Sequence, residues 1–166
     1  MGQSIDSIYT IYFNDIYRFL LSLCKNHHTA EDLLQETFLR AYLHVEQNHA
    51  GSIKSWLFTV AYHAFIDHQR KQRRIDLDKG IFLDKLLDHK KTPEEKLMMD
   101  EQVQIIIQQL DSMPKKQKLA VLLHDFHELS YKEAAYVMGT SLASFKVSLY
   151  RARQAIREKR GRETSE

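Results

Sequence analysis

The chain has 166 residues, of which 43% are hydrophobic and 28% charged, with five glycines and two prolines. This composition excludes a disordered chain, and the scarcity of glycine and proline favours helices over the turn-rich strands of a β-sandwich. The single cysteine, Cys24, excludes an internal disulfide and a cysteine cluster that holds zinc. No apolar run approaches the ~18 residues that span a membrane, and no leader-like segment opens the chain, so a cytoplasmic location is expected.

The net charge of +2 is unevenly distributed. Residues 146–162 contain seven lysines and arginines against one glutamate, and residues 70–74 add four basic side chains. The intervening residues 75–111 contain nine acids and five lysines. Two basic segments favour two contacts with a polyanion, although charge alone is equally consistent with two solvated helix ends.

Helical periodicity runs through the first half of the chain. A loop at residues 25–28 separates a first helix from a second, which Thr29 is predicted to cap. After a polar loop at residues 47–52, a third helix runs into the basic cluster that ends at Arg74. The residues predicted to face inward are Ile5, Ile8, Tyr12, Phe19, Leu20 and Leu23 in the first helix, Leu34, Phe38, Ala41, Tyr42 and Val45 in the second, and Ile53, Trp56, Leu57, Val60, Ala61, Ala64 and Phe65 in the third.

The second half opens with residues 75–91, which lack a clean period and are expected to form a flexible linker. Thr92, followed by Pro93, is a strong helix start. Further helices are predicted to begin at Pro114, with Leu119, Leu122, Leu123 and Phe126 inward, and at Ser130, within a capping box. The sequence therefore predicts an all-α fold of two small helical domains, residues 1–74 and 92–166, joined by a flexible linker.

The last two predicted helices have helix-turn-helix spacing, because Gly139 ends one and Ser141 caps the next. The final helix is amphipathic, with an apolar face made of Leu142, Phe145, Leu149, Ala152 and Ile156. The other side chains suit a DNA major groove: donors for base edges, apolar groups for a thymine methyl and cations for phosphates. The donors for base edges are Ser144, Lys146 and Arg151, and the apolar groups are Val147 and Tyr150. The cations for phosphates are Arg153 and Arg157. An ordinary helical hairpin with a charged outer face is the alternative, which the density of Lys and Arg disfavours.

Several segments resemble one family in the family's own order. They are AEDLLQETFLRA at residues 30–41, SWL at 55–57, DHQR at 67–70, LSYKEAA at 129–135 and GTS at 139–141. These segments resemble regions 2 and 4 of the extracytoplasmic-function (ECF) sigma factors, a subfamily of the bacterial sigma-70-type RNA polymerase sigma factors. The resemblance implies a sigma region 2 helical bundle followed by a sigma region 4 helix-turn-helix domain.

The same resemblance implies a non-catalytic subunit that confers promoter recognition and transcription initiation on core RNA polymerase. The first domain is expected to dock on the β′ clamp helices and to read the melted strand of the −10 element. The second is expected to read double-stranded promoter DNA at the −35 element. The implied partners include an anti-sigma factor, often membrane-anchored, whereas the chain itself is not embedded in a membrane and needs no cofactor.

The resemblance also implies roles for individual residues, at the positions where this sequence matches the family. The implied polymerase-binding residues are Asp32, Gln35, Glu36, Phe38 and Arg40. The implied −10 contacts are Asn48 and His49 in a base-capturing loop, Lys54, Tyr62, His63, and Arg70, Lys71, Arg73 and Arg74 along the DNA backbone. The implied −35 contacts are Ser144, Lys146, Val147, Tyr150, Arg151 and Arg153. The family often has Arg-Asn at positions 62 and 63 and a small polar residue at position 147, so an unusual promoter preference is expected.

Other classes of function are less consistent with the sequence. A free-standing helix-turn-helix regulator has no need of the docking run at residues 32–40, and a helical adaptor without a DNA role leaves the basic clusters unexplained. Asp32 and Glu36 lie one turn apart, but no nucleophile or phosphate-binding loop accompanies them. His124 and His127 are spaced like metal ligands, which nine histidines produce by chance, so no metal site is expected.

Overall fold

The structure is a computed structural model that describes residues 4–45, 51–80 and 101–163. Within these ranges every regular element is a helix, which confirms the all-α fold. The elements are α1 (Ile5–Cys24), α2 (His27–His44), α3 (Ile53–Lys79), α4 (Glu101–Asp111), α5 (Lys115–Val121), a π-helical turn (Leu122–Phe126), α6 (Tyr131–Met138) and α7 (Leu142–Glu163). None of the helices in these ranges is both long and apolar enough to cross a membrane.

The described residues fall into two compact units. The first consists of residues 4–45 and 60–80, and the second of residues 51–59 and 101–163. The start of α3 therefore belongs to the second unit and the rest of α3 to the first.

The junction between α1 and α2 is tighter than the sequence pattern indicates. Lys25 adopts a left-handed backbone with φ 56°, and its N–H donates to the carbonyl of Leu21 at 2.8 Å. The next residue, Asn26, is the N-cap of α2, because its side-chain oxygen accepts from the N–H of Thr29 at 3.0 Å. The prediction that Thr29 caps α2 is wrong, since the one-residue reversal at Lys25 allows the helix to begin earlier.

The first unit is held together by a face of apolar side chains on each helix, and α1 packs against α2. Buried residues are Ile8, Ile16, Phe19 and Leu20 on α1, Ala30, Leu33, Leu34, Phe38 and Ala41 on α2, and Ala61, Ala64 and Phe65 on α3. Tyr42, predicted to face inward, is exposed. The reason is helical phase: the buried face of α2 is centred one position earlier, on Ala41, and Tyr42 lies about 100° beyond it.

The third helix ends later than predicted. It continues to Lys79, five residues beyond the expected end at Arg74. The rest of the expected linker, residues 81–91, and the predicted helix start at Thr92 lie outside the described residues.

In the second unit, α5 widens at its end into the π-helical turn. There the N–H of His127 donates to the carbonyl of Leu122 at 3.0 Å, five residues back. A π-turn holds more residues than an α-turn, so it shifts the phase of the side chains that follow. Phe126, predicted to face inward, is consequently 48% exposed, whereas His127 is buried.

The helix-turn-helix is built by the capping residues that the sequence indicates. Ser130 and Glu133 form a reciprocal capping box at the start of α6. Gly139 ends α6 with φ 65°, a left-handed conformation that glycine adopts without strain. Ser141 then accepts from the N–H of Ser144 at 3.1 Å and so caps α7. Beneath the turn lies a core of Leu119, Ala120, Leu123, Leu129, Ala134, Ala135, Val137, Phe145, Leu149 and Ala152.

Candidate functional site

The outer face of α7 combines cationic and apolar side chains. Phe145 and Leu149 are fully buried, which turns the opposite side of the helix to solvent. Four of the predicted −35 residues are exposed there: Lys146, Val147, Tyr150 and Arg151. Ser144 is half-buried beside them. Val147, Tyr150 and Arg151 form the centre of this surface, and Ser144 and Lys146 flank it on either side. The surface lies near the N-terminal end of the helix, where helix-turn-helix proteins contact base edges.

Gln154 belongs to this surface, although the −35 residues assigned from the sequence do not include it. Its side-chain amide donates to the hydroxyl oxygen of Tyr150 at 2.8 Å, one helical turn away. The i, i+4 spacing is the signal that could have revealed the pair. With that oxygen lone pair occupied, the phenol O–H of Tyr150 is available as a donor.

Arg153, the sixth predicted −35 residue, is held by an acid. Its guanidinium makes two hydrogen bonds to the carboxylate of Asp125 in the π-helical turn, at 2.6 Å and 3.3 Å. The hydrogen bonds to Asp125 are the main reason that the pKa of Arg153 is raised. Arg153 therefore joins α7, the second helix of the helix-turn-helix, to the π-helical turn that follows α5. Sequence patterns missed Asp125 because the two residues are 28 positions apart.

On α2, Asp32 and Gln35 are exposed, Glu36 is half-buried, and Phe38 is only 8% exposed. The Phe38 ring packs edge-on against Tyr9 with centroids 4.8 Å apart, so Phe38 contributes to the core rather than to the surface. Three large side chains that the sequence pattern did not assign to docking are 55–66% exposed on the same helix: Leu39, Tyr42 and Leu43. The sequence signal for this surface was the i, i+4 spacing of Leu39 and Leu43, which follow an acidic segment and do not share the face of the buried residues.

Arg40 is a residue of α2 whose side chain links this helix to α3. Its Nε donates to Glu36 at 2.9 Å, and its Nη1 donates to Asp67 of α3 at 3.0 Å. The pKa of Arg40 is raised chiefly by the hydrogen bond to Glu36.

The predicted −10 residues are distributed along α3. His63, Arg70, Lys71, Arg73 and Arg74 are exposed, whereas Lys54 and Tyr62 are half-buried. Burial raises the pKa of the Tyr62 phenol. Asn48 and His49 lie outside the described residues.

Ser52, at the end of the loop before α3, has two roles in the second unit. Its hydroxyl oxygen accepts from the N–H of Ser55 at 3.1 Å, which caps α3. The same hydroxyl donates to the carboxylate of Glu133. Together with the hydrogen bonds from Ser130, this contact lowers the pKa of Glu133 below its ordinary value, and the bond from Ser52 contributes most.

The histidine pair with metal-like spacing is engaged in packing. The Nδ1–H of His124 donates to the carbonyl of Leu129 at 2.7 Å, and its ring packs edge-on against Tyr131 with centroids 4.6 Å apart. His127 is buried at the end of the π-helical turn. In the part of the chain that the structure describes, no three His, Cys, Asp or Glu side chains are grouped as metal ligands.

A capped helix, a tight glycine turn and an exposed basic recognition helix define a helix-turn-helix DNA-binding protein. Two family models match the chain: sigma-70 region 2 over residues 8–75 and sigma-70 region 4 over residues 103–156. The chain belongs to the sigma-70 family. It is an RNA polymerase sigma factor, which confers promoter recognition and transcription initiation on core RNA polymerase. Sigma factors as a class are non-catalytic regulators of initiation.

Individual relatives agree with this assignment. The chain is 39% identical to the ECF RNA polymerase sigma factor SigM of Bacillus subtilis, over 93% of this chain and 94% of SigM. It therefore belongs to the ECF subfamily of the sigma-70 family. It is 30% identical to the RNA polymerase sigma factor YlaC of the same organism, over 94% and 91% of the two chains. The solved structure of the sigma factor RpoE from Bartonella quintana, in complex with the anti-sigma factor NepR, is similar with a TM-score of 0.75 and 25% identity over 92% of this chain and 94% of RpoE. Membership of this family excludes the alternative of a free-standing regulator.

Proposed function

We propose that residues 1–74 dock on core polymerase and read the −10 element, and that residues 92–166 read the −35 element. The observation that carries this proposal is the contrast between two exposed helix faces, one acidic and apolar on α2 and one basic and apolar on α7. The chain acts in the cytoplasm, where polymerase and promoters are, and all catalysis belongs to the polymerase.

The docking surface, as we define it, consists of Asp32, Gln35, Glu36, Leu39, Tyr42 and Leu43 on α2. Apolar side chains that are more than half exposed lose water-accessible area on binding, which drives association. The acids at its N-terminal end favour a partner surface with basic side chains, and such charge complementarity sets the orientation of the complex. Phe38 and Arg40 support this surface from behind and from the side.

The −35 surface consists of Ser144, Lys146, Val147, Tyr150, Arg151 and Gln154. Lys146 and Arg151 supply donors for guanine, and Val147 supplies a methyl contact for thymine. Arg157, further along the exposed face, contacts phosphate. The −10 surface consists of His63, Arg70, Lys71, Arg73 and Arg74 on α3, whose cations follow the DNA backbone.

We also propose that an anti-sigma factor controls this chain. RpoE of Bartonella quintana is similar over nearly the whole chain and was solved in complex with its anti-sigma factor NepR. The exposed apolar side chains of α2 offer such a partner a surface that overlaps the docking surface. Binding there excludes polymerase by direct competition.

The experiment that tests the proposed function reconstitutes the chain with core polymerase and measures binding and run-off transcription. Replacing Asp32, Gln35 and Glu36 together by alanine is expected to weaken polymerase binding without loss of helical content. The matched control replaces Asn14 and Arg18, two exposed polar residues of α1, by alanine. Equal binding by the triple variant and the control contradicts the docking assignment.

A further inference from the structure

Arg40 is placed to act inside the protein rather than on a partner. Its side chain is 32% exposed, and its guanidinium is bound to two carboxylates at once, Glu36 at 2.9 Å and Asp67 at 3.0 Å. Two of its five N–H donors serve these acids, so the positive charge of Arg40 is compensated within the protein and its side chain is held on α3. The geometry therefore separates Arg40 from its neighbours Asp32 and Gln35, which are exposed.

Asp67 occupies an electrostatically unusual position. It lies on α3 at i, i+4, i+7 and i+11 spacing with His63, Arg70 and Arg74, so these four residues share one face of the helix. It is the one acid among residues 63–74, and the next acid on the same face is the exposed Asp78, one turn beyond Arg74. That face is the proposed −10 surface, and an uncompensated carboxylate within a Debye length of about 8 Å repels DNA phosphates.

We propose that Arg40 is a positioning residue that neutralises Asp67 and fixes α2 to the −10 surface of α3, and that it does not itself contact polymerase. This inference rests on the proposed function of α3. It assigns to the docking helix a second task, since the same helix that holds Asp32 and Gln35 toward polymerase neutralises the negative charge that lies among the cations of the −10 surface.

The test uses holoenzyme assembled from core polymerase and the full chain. Two affinities are measured separately: that for core polymerase, and that of saturated holoenzyme for a forked promoter fragment with a single-stranded −10 element. Arg40→Ala is expected to leave core affinity within about twofold, because the pair is half-exposed and marginal for stability. Affinity for the forked DNA is expected to fall roughly three- to tenfold, since one negative charge is unmasked beside phosphates.

The double variant Arg40→Ala/Asp67→Asn distinguishes charge masking from loss of a direct contact. Removing the carboxylate is expected to restore DNA affinity to within about twofold of the unmodified chain. The matched control Arg70→Ala loses a phosphate contact directly, so adding Asp67→Asn is expected to leave its defect largely in place. A fall in core affinity with Arg40→Ala, or a DNA defect that Asp67→Asn does not relieve, overturns the proposal.

Asp67→Asn alone keeps the proposal testable if Arg40→Ala does not fold. It removes a carboxylate from between His63 and Arg70 and leaves Arg40 paired with Glu36, so DNA affinity is expected to rise by up to about threefold. A decrease overturns the proposal. If holoenzyme with the unmodified chain ignores the −10 sequence, the proposed function of α3 fails as a whole. Sequence-dependent binding without rescue by Asp67→Asn contradicts only the role of Arg40.

Discussion

The outer faces of α2 and α7 are both amphipathic surfaces, and they differ in the sign of their charge. On α2, exposed leucines and a tyrosine accompany Asp32 and the half-buried Glu36. On α7, an exposed valine and tyrosine accompany Lys146 and Arg151. An acidic, apolar face suits a protein partner with basic side chains, whereas a basic face suits DNA, whose phosphates dominate affinity.

On both helices, an arginine beside the functional face forms ion pairs with acidic side chains. Arg40 binds Glu36 and Asp67, and Arg153 binds Asp125. In both cases the arginine links the functional helix to another segment of the same unit. A basic residue next to a recognition surface is therefore not by itself a contact with the partner, and the acids around it decide its role.

The largest expected effect follows from removing the apolar part of the docking surface. Replacing Leu39, Tyr42 and Leu43 by alanine is expected to reduce affinity for core polymerase by about 2–4 kcal/mol, since exposed apolar anchors often dominate an interface. Affinity of the free chain for −35 DNA is expected to stay unchanged. The check is a titration of core polymerase, with Ile11→Ala on α1 as an exposed apolar control. If Ile11→Ala loses as much affinity for core polymerase, the exposed apolar side chains of α2 have no special role in docking.

The second effect concerns the DNA side of the comparison. Arg151→Ala is expected to cost about 1–3 kcal/mol of −35 affinity and to relax the preference at one base position. Arg157→Ala is expected to weaken binding to all sequences evenly and to flatten its salt dependence. Binding measured against single-base variants of a −35 duplex distinguishes the two. The register of the recognition helix needs revision if Arg151→Ala leaves base preference intact.

The third prediction tests whether Arg153 positions α7 or contacts a DNA phosphate. If the pair with Asp125 positions α7, Arg153→Ala and Asp125→Ala both weaken −35 binding slightly and each lowers stability by at most about 1 kcal/mol. If Arg153 instead contacts phosphate directly, Asp125→Ala releases it and strengthens binding. A double-mutant cycle on DNA affinity, with urea unfolding of the same four proteins, decides between these outcomes.

The smallest effect is a pH dependence at the start of α6. The pKa of Glu133 is lowered in the folded chain, first by the hydrogen bond from Ser52 and then by bonds from Ser130. Because the folded pKa lies below the unfolded one, its contribution is present above the unfolded pKa and is lost as pH falls through the folded pKa. The difference in melting temperature between the unmodified chain and Glu133→Gln is expected to shrink toward acidic pH. A difference that is constant with pH contradicts this linkage.

Much of the fold is determined by local chemistry that the sequence displays directly. The capping box at Ser130, the terminator Gly139 and the cap Ser141 all act within four residues, so side-chain type and spacing were sufficient to predict them. The buried face of α7 follows from its periodicity for the same reason. The exposed surface of Lys146, Val147, Tyr150 and Arg151 is the other side of that pattern.

Other features depend on contacts between distant residues or on small changes of helical phase. The π-helical turn moved Phe126 to the surface, and the reversal at Lys25 transferred the cap of α2 from Thr29 to Asn26. Asp67 lies 27 positions from Arg40 along the chain, and Asp125 lies 28 positions from Arg153. Periodicity carries no information about such pairs. Only tertiary packing decided which cations already have acids as partners and which are free to bind DNA.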